Sequence, residues 1–194
     1  MKRLIIGISG ASGVIYGIRL LEVLAQSDEI ETHLVMSMAG RITIAQETDW
    51  KLADVEDLAD VVHAPANIGA SIASGSFDTL GMIIAPCSIK TLSGIAHSYN
   101  TDLMTRAADV QLKENRPLIL LVRETPLHIG HIRLMQQAAE IGATLMPPVP
   151  AFYSRPKTVE DIINGTVGRV LARIGIDNDL YFKWLGMQGK SGDD

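Results

Sequence analysis

Residues 5–24 of the chain, IIGISGASGVIYGIRLLEVL, decide its fold. The stretch begins as a continuous apolar run, which is the pattern of a strand buried on both faces. It is interrupted by Gly7, Gly10 and Gly13, and then resumes with apolar residues at helical spacing. A strand, a glycine-rich turn and a helix in this order are typical of a phosphate-binding first βα unit.

The spacing of these glycines narrows the class of nucleotide that the turn can bind. They match neither the G-x-G-x-x-G pattern of dinucleotide-binding folds nor the G-x-x-x-x-G-K-[ST] pattern of nucleoside triphosphatases. The turn therefore favours a mononucleotide over NAD or ATP, with Ser12 adding a hydroxyl. On the residues alone, a tight turn without any ligand is the alternative.

Composition narrows the class of protein. The chain has 194 residues, 47% of them hydrophobic and 20% charged, which predicts a single α/β domain over 1–194 with a flexible tail from about 188. A net charge of −5 without a basic block argues against nucleic-acid binding. No apolar run reaches the ~18 residues of a membrane span, and the N-terminus lacks a signal-peptide pattern. We therefore expect a cytoplasmic protein.

Cysteine content and hydropathy add two expectations. Cys87 is the single cysteine, which excludes an intramolecular disulfide framework and a multi-cysteine metal site. The mean hydropathy of +0.20 is high for a soluble monomer and indicates apolar surface buried between subunits. His128 and His131 lie three residues apart without further ligands nearby, so we interpret them as structural or surface residues.

Strand and helix patterns alternate along the rest of the chain. Further strands are predicted at 33–37, 81–86, 118–122 and 142–146. Helices are predicted at 38–47, after Ser88, at 103–115, within 126–142 and at 158–174, with a mixed helical pattern over 54–62. The fold class is therefore α/β, a Rossmann-like or flavodoxin-like three-layer fold with a mostly parallel sheet.

Polar residues follow two of these strands directly. Ser88 and Thr91 begin a helix after 81–86, and Arg123 with Glu124 follows 118–122. Because ligands bind at the carboxyl ends of parallel strands, both positions are candidates for a site. A plain helix cap and an ordinary loop ion pair are the alternatives. The small-residue stretch 64–76 is either a loop that closes over a ligand or a simple connection.

Five segments together carry a resemblance to a known family. They are GISGASG, PCSIKTLSGIA, RAADVQLKE, RPLILLVRETPL and PPVPAFYSRP, and in this order they resemble the UbiX-type flavin prenyltransferases of the UbiX/Pad family, from Lys2 to about Trp184. The resemblance implies an enzyme that transfers a dimethylallyl group from dimethylallyl monophosphate to reduced FMN and builds a fourth ring. The product, prenylated FMN, would serve a UbiD-type decarboxylase in ubiquinone biosynthesis or aromatic acid decarboxylation. It also implies a homo-oligomer, a dodecamer.

The resemblance also assigns roles to individual residues. It implies catalytic roles for Glu47, Lys113 and Glu124. It places the FMN cofactor on Gly10, Ala11, Ser12, Ser37, Ser88, Ile89, Lys90, Thr91 and Arg123. It places the prenyl phosphate on Arg106, Lys113, Tyr153 and Arg169, with Trp184 near the prenyl group.

One position departs from the family pattern, and two alternatives stay open. Some relatives have a tryptophan where this chain has Ile68, so this chain supplies no aromatic ring at that position of the prenyl platform. The chain has no Asp-rich magnesium cluster, and Arg, Lys and Tyr donors can hold a monophosphate without a metal. The alternatives are a flavin-dependent decarboxylase of the same superfamily, whose substrate clamp the segment PPVPAFYSRP does not match, and a non-catalytic FMN carrier.

Overall fold

A computed structural model describes residues 1–184 and 186. In this part of the chain six strands form one sheet: β1 (Lys2–Ile8), β2 (Ile30–Met36), β3 (Val61–His63), β4 (Gly81–Cys87), β5 (Leu118–Val122) and β6 (Thr144–Leu145). The helices are α1 (Ile15–Leu24), α2 (Met38–Glu47), α3 (Leu52–Glu56), α4 (Ile89–Ala96), α5 (Leu103–Lys113), α6 (Ile129–Glu140) and α7 (Val159–Arg173). Two 3₁₀ turns lie at Ser71–Ala73 and Phe152–Ser154.

The sheet is parallel and has the order β3-β2-β1-β4-β5-β6. This is the Rossmann order, so the structure selects that topology from the two we predicted. The chain leaves β1 towards β2 on one side and crosses to β4 on the other, which makes the carboxyl ends of β1 and β4 the topological switch point. Ligands bind at this point in open α/β sheets because the loops diverge there.

Two apolar layers sandwich the sheet. Alternate residues of β1 face opposite sides, since side chains alternate along a strand. Leu4 and Ile6 join a core with α1 and α7, whereas Ile5 joins a second core with α4 and α5. The predicted three-layer α/β class is therefore confirmed.

The mixed helical pattern predicted over 54–62 is correct only as far as Glu56. There α3 ends, and the chain then forms the edge strand β3. Directly before β3, the carboxylate of Asp60 accepts hydrogen bonds from the amide and hydroxyl of Thr32 on β2. Pairing with β2 thus overrides the local pattern, as tertiary context often does for short strands.

The helix starts predicted from the sequence agree with the structure more closely than the predicted strand ends do. Ser88 caps α4, and Asp102 and Thr158 form capping boxes at the starts of α5 and α7. The last strand was predicted at 142–146 but is reduced to two residues, Thr144 and Leu145. The flexible tail that was expected from about 188 lies outside the described residues.

Candidate functional site

A cavity of about 890 Å³ opens at the switch point of the sheet. It lies where the segments after β1, β2 and β4 meet the N-termini of α2, α4 and α5. The sequence-predicted residues that line it are Gly10, Ser37, Ser88, Lys90 and Thr91. The fold therefore brings three separate segments of the predicted cofactor site into one cavity.

The glycine-rich turn after β1 is packed tightly against α2. A Cβ atom at Gly10 would lie 2.2 Å from the Cβ of Ala39, so glycine is required here by helix packing. Gly13 has a φ of +97°, a conformation that favours glycine, and its amide donates a 2.8 Å hydrogen bond to the carboxylate of Glu47. Both ends of the turn are thus fixed by the same helix.

Two helix N-termini supply hydroxyls to the cavity. The Ser37 hydroxyl accepts a hydrogen bond from the amide of Gly40 at 3.0 Å, while the Ser37 amide donates to the carbonyl of Ile8. The Ser88 hydroxyl accepts from the amide of Thr91 at 3.3 Å and donates to the Thr91 hydroxyl. The first amides of each helix have no carbonyl four residues earlier in that helix, so they are available to an anion.

These donors fit the phosphate of a mononucleotide. They combine hydroxyls, helix N-terminal amides and the cationic Lys90, which is the donor set that phosphate prefers. Ala11 and Ser12 lie on the same turn as Gly10, and Ile89 is the first residue of α4. A cavity of this size also has room for a tricyclic ring.

Arg123 and Glu124 lie at the neighbouring carboxyl end of β5. The Arg123 amide donates to the carbonyl of Cys87 at 3.1 Å, which ties this segment to the end of β4. Both side chains are exposed, and the Glu124 carboxylate accepts from the amide of Thr125 at 3.0 Å. Cys87 is fully buried, and burial raises the pKa of its thiol, so it stays protonated and is no nucleophile.

A second polar region lies beside the end of β6. Arg169 of α7 lines a cavity of about 270 Å³, together with residues of the proline-rich segment 146–156. Its guanidinium lies 5.9 Å from the ring centre of Tyr181. The Tyr153 ring meets Trp184 edge to face at 5.7 Å, and both rings are about half exposed. Tyr153 thus contacts Trp184, while Arg169 shares its cavity with Ala151 and Ser154, which lie on either side of Tyr153.

Lys113 has a different partner within the chain. It ends α5, next to the amino-terminal side of β5, and pairs with Glu114, whose pKa it lowers. The start of α5 lines the 890 Å³ cavity, and eleven helical residues span about 16 Å. Arg106, one turn into α5, is nearer to the cavity and pairs with Asp109 at 3.1 Å. Among the described residues, no hydrogen bond, ion pair or cavity joins Lys113 to Tyr153 or Arg169.

Sequence reasoning missed one wall of the cavity. That wall runs from the end of α4 to the start of α5 and includes His97, Tyr99, Thr101, Asp102 and Thr105. The signal that could have found it is Asp102, because a strong N-cap after a parallel strand–helix unit places another helix start at the same edge.

The described residues offer neither a metal-ion cluster nor a membrane-spanning helix. Within 1–184 and 186, no three His, Cys, Asp or Glu side chains are grouped so that they could hold a metal ion. Over the same residues, no helix has both the length and the apolar character that crossing a bilayer requires.

Comparison with known proteins places the chain in a class. Residues 1–170 match the Flavoprotein family model. Flavin prenyltransferase UbiX of Escherichia coli strain K12 is 65% identical over 188 residues, covering 96% of this chain and all of the relative. The chain belongs to the flavoprotein family.

Two solved structures are similar over almost the whole chain. A dodecameric FMN-dependent UbiX-like decarboxylase from Escherichia coli O157:H7 has a TM-score of 0.92 and 46% identity, covering 95% of this chain and 100% of its own. AnUbiX, solved with FMN and dimethylallyl pyrophosphate, has a TM-score of 0.93 and 43% identity, covering 96% and 99%. Within the flavoproteins, the chain is a member of the UbiX-type flavin prenyltransferases.

Proposed function

We propose that this chain transfers the dimethylallyl group of dimethylallyl monophosphate to reduced FMN and so forms prenylated FMN. One observation supports the proposal: a cavity whose donors suit a phosphate, lined by Gly10, Ser37 and Ser88, coexists with a separate cavity that Arg169 lines with the segment of Tyr153. Two phosphate esters need two such sites. The UbiX relative at 65% identity carries the matching name.

The first site binds FMN. The phosphate would be held by the hydroxyls and amides at the starts of α2 and α4, by the turn residues Ala11 and Ser12, and by Lys90. Arg123 would reach the same flavin from the end of β5. When bound and reduced, FMN supplies the nucleophilic ring atoms that take the dimethylallyl group.

The second site binds the prenyl phosphate. Arg169 and Lys113 would neutralise the leaving phosphate, and Tyr153 would donate a hydrogen bond to it. Breaking an allylic carbon–oxygen bond separates charge, so fixed cations on the phosphate stabilise that step without a metal. Trp184, whose ring contacts Tyr153, would cover the apolar prenyl chain, and Arg106 would add positive charge.

The carboxylates would act at the reacting edge of the flavin. The Glu47 carboxylate accepts a hydrogen bond from the Gly13 amide, which fixes the position of this carboxylate relative to the cofactor turn. A carboxylate held there can stabilise cationic character and move protons during ring closure. Glu124, at the end of β5, would serve the same edge from the other side.

Assembly completes the second site in this proposal. Because Lys113 shares no contact or cavity with Arg169 in the described part of the chain, a neighbouring copy would supply Lys113. The relative from Escherichia coli O157:H7 is dodecameric, which supports a dodecamer here. The product would pass to a UbiD-type decarboxylase in the cytoplasm.

One experiment tests the reaction. The protein is incubated anaerobically with reduced FMN and dimethylallyl monophosphate, in buffer with EDTA, and the flavin mass is measured. The proposal expects a gain of one C5H8 unit at an undiminished rate, and a parallel reaction compares the diphosphate that AnUbiX binds. An unmodified flavin that remains bound would instead identify an FMN carrier, and rescue by magnesium would remove the metal-independent mechanism.

A further inference from the structure

Ser9 bridges two segments of the FMN cavity through one buried hydroxyl. It follows β1 directly and is fully buried. Its hydroxyl donates to the carbonyl of Pro86 at 2.8 Å and accepts from the amide of Ser88 at 2.7 Å. The Ser9 amide also donates to the Pro86 carbonyl, at 3.2 Å. Three hydrogen bonds thus join the end of β1 to the segment that leaves β4.

The two bridged segments are the two halves of the proposed cofactor cradle. Gly10, which follows Ser9, lines the cavity on the first turn. Ser88 caps α4, and its hydroxyl orients Thr91. Any shift of Ser88 relative to Gly10 changes the distance between the glycine-rich turn and the N-terminus of α4. Ser9 spans this gap without lining the cavity itself.

We infer that Ser9 is a positioning residue for FMN, a role that rests on the proposed cofactor site. Its hydroxyl sets the spacing between the first turn and the start of α4. Loss of the hydroxyl leaves the half-buried Ser88 amide without its acceptor, and an amide shielded from water without a partner is costly. The cap segment then moves to find another partner, and the cavity no longer matches a phosphate held from both sides.

Thr32 provides a matched control. Its hydroxyl is also buried, and it also makes a double bridge, donating to the Asp60 carboxylate at 2.9 Å and accepting from the Asp60 amide at 3.0 Å. It joins β2 to the start of β3 near the amino-terminal part of β2, away from the cavity. Thr32→Val therefore removes a comparable bridge without touching the cofactor cradle.

The test measures FMN affinity apart from turnover. FMN is titrated into the apoprotein of the wild type and of three variants, Ser9→Ala, Ser9→Thr and Thr32→Val. The melting temperature of each protein is recorded in parallel. Loss of one buried hydrogen-bond bridge predicts an FMN Kd for Ser9→Ala raised about five- to a hundredfold. Ser9→Thr keeps the hydroxyl and should restore binding to within a few-fold of wild type. Thr32→Val should lower the melting temperature but keep the wild-type Kd.

Several results would overturn the inference. They are an FMN Kd for Ser9→Ala within twofold of wild type, an equal rise in Thr32→Val, or a Ser9→Thr variant that binds as poorly as Ser9→Ala. If Ser9→Ala does not fold, the comparison of Ser9→Thr with wild type decides, and a tenfold weaker Kd contradicts the role of the hydroxyl. Failure of wild type to bind FMN would instead reject the proposed function.

Discussion

The two ends of the proposed reaction are built in different ways. The cofactor cradle is made of short segments that cap helices and pack against one another, with Gly10 in contact range of Ala39 and Gly13 bonded to Glu47. The donor region around Arg169 consists of a proline-rich segment, a helix face and half-exposed aromatic rings. In the proposed function, one chain forms the first site, whereas the second needs Lys113 from a neighbouring copy. Tight local packing would then position the flavin, and assembly would complete the donor site.

The largest expected effect concerns the packing of the cradle. Gly10→Ala places a methyl group within 2.2 Å of the Ala39 Cβ atom, so the turn or α2 must move. We expect FMN retention to be lost during purification, as measured by the flavin absorbance of the isolated protein. Because backbone atoms of Ala39 also lie 3.1 Å away, the double variant with Ala39→Gly should recover binding only in part. Full retention in Gly10→Ala would show that the cradle is not rigid.

The next effect separates flavin binding from chemistry. Glu47→Gln keeps an oxygen that can accept the Gly13 amide but removes the charge. It should retain FMN and slow prenyl transfer roughly a hundredfold or more, the usual contribution of a proton-transfer group. Single-turnover kinetics at saturating donor measures this. Equal flavin loss in Glu47→Gln and Glu47→Ala would mean that Glu47 only holds the turn.

A smaller effect is expected at Tyr153. Tyr153→Phe removes one neutral hydrogen bond to the donor phosphate but keeps the ring that contacts Trp184. A neutral hydrogen bond contributes ~0.5–1.5 kcal/mol, so the KM for dimethylallyl monophosphate should rise about two- to tenfold. Tyr153→Ala, which also removes the ring contact, should be worse. A Phe variant as impaired as the Ala variant would assign the whole effect to the hydroxyl.

The smallest effect tests the helix cap at the start of α7, at the edge of the donor region. The Thr158 hydroxyl accepts a hydrogen bond from the amide of Asp161 at the start of α7. In return, the backbone amides of Lys157 and Thr158 donate to the Asp161 carboxylate and lower its pKa. Thr158→Ala should reduce the free energy of unfolding by ~1 kcal/mol and leave turnover unchanged. Denaturant unfolding and steady-state kinetics measure the two quantities. A weaker affinity of Thr158→Ala for dimethylallyl monophosphate would show that donor binding depends on the N-terminal cap of α7.

Sequence reasoning located the cradle because its signals are local. Neighbouring residues are enough to recognise a glycine-rich turn between a strand and a helix, or a serine that caps a helix after an apolar strand. Gly10, Ser37 and Ser88 could therefore be predicted as site residues from the sequence. The reason why position 10 requires glycine could not be predicted, because it depends on how closely α2 approaches the turn. β3 was missed since its strand conformation comes from pairing with β2, fixed by Asp60.

The donor region was less accessible from sequence. The resemblance named Lys113 and Arg169 together, but no contact joins them among the described residues. Their relative position depends on the direction of α5 and the position of the edge strand β6. No local pattern encodes that geometry. The contact between Tyr153 and Trp184 likewise joins two segments about 30 residues apart through the path of the tail.

The kinetics of Arg169→Ala test the separation of the two regions most directly. A charge-assisted hydrogen bond to phosphate contributes ~1.5–3 kcal/mol, so kcat/KM for dimethylallyl monophosphate should fall about tenfold to over a hundredfold. The FMN Kd, measured on the same preparation, should stay at the wild-type value. Normal turnover, or a loss of FMN affinity equal to the loss of donor use, would contradict the account, because the phosphate of the donor would then lie elsewhere or share the cradle.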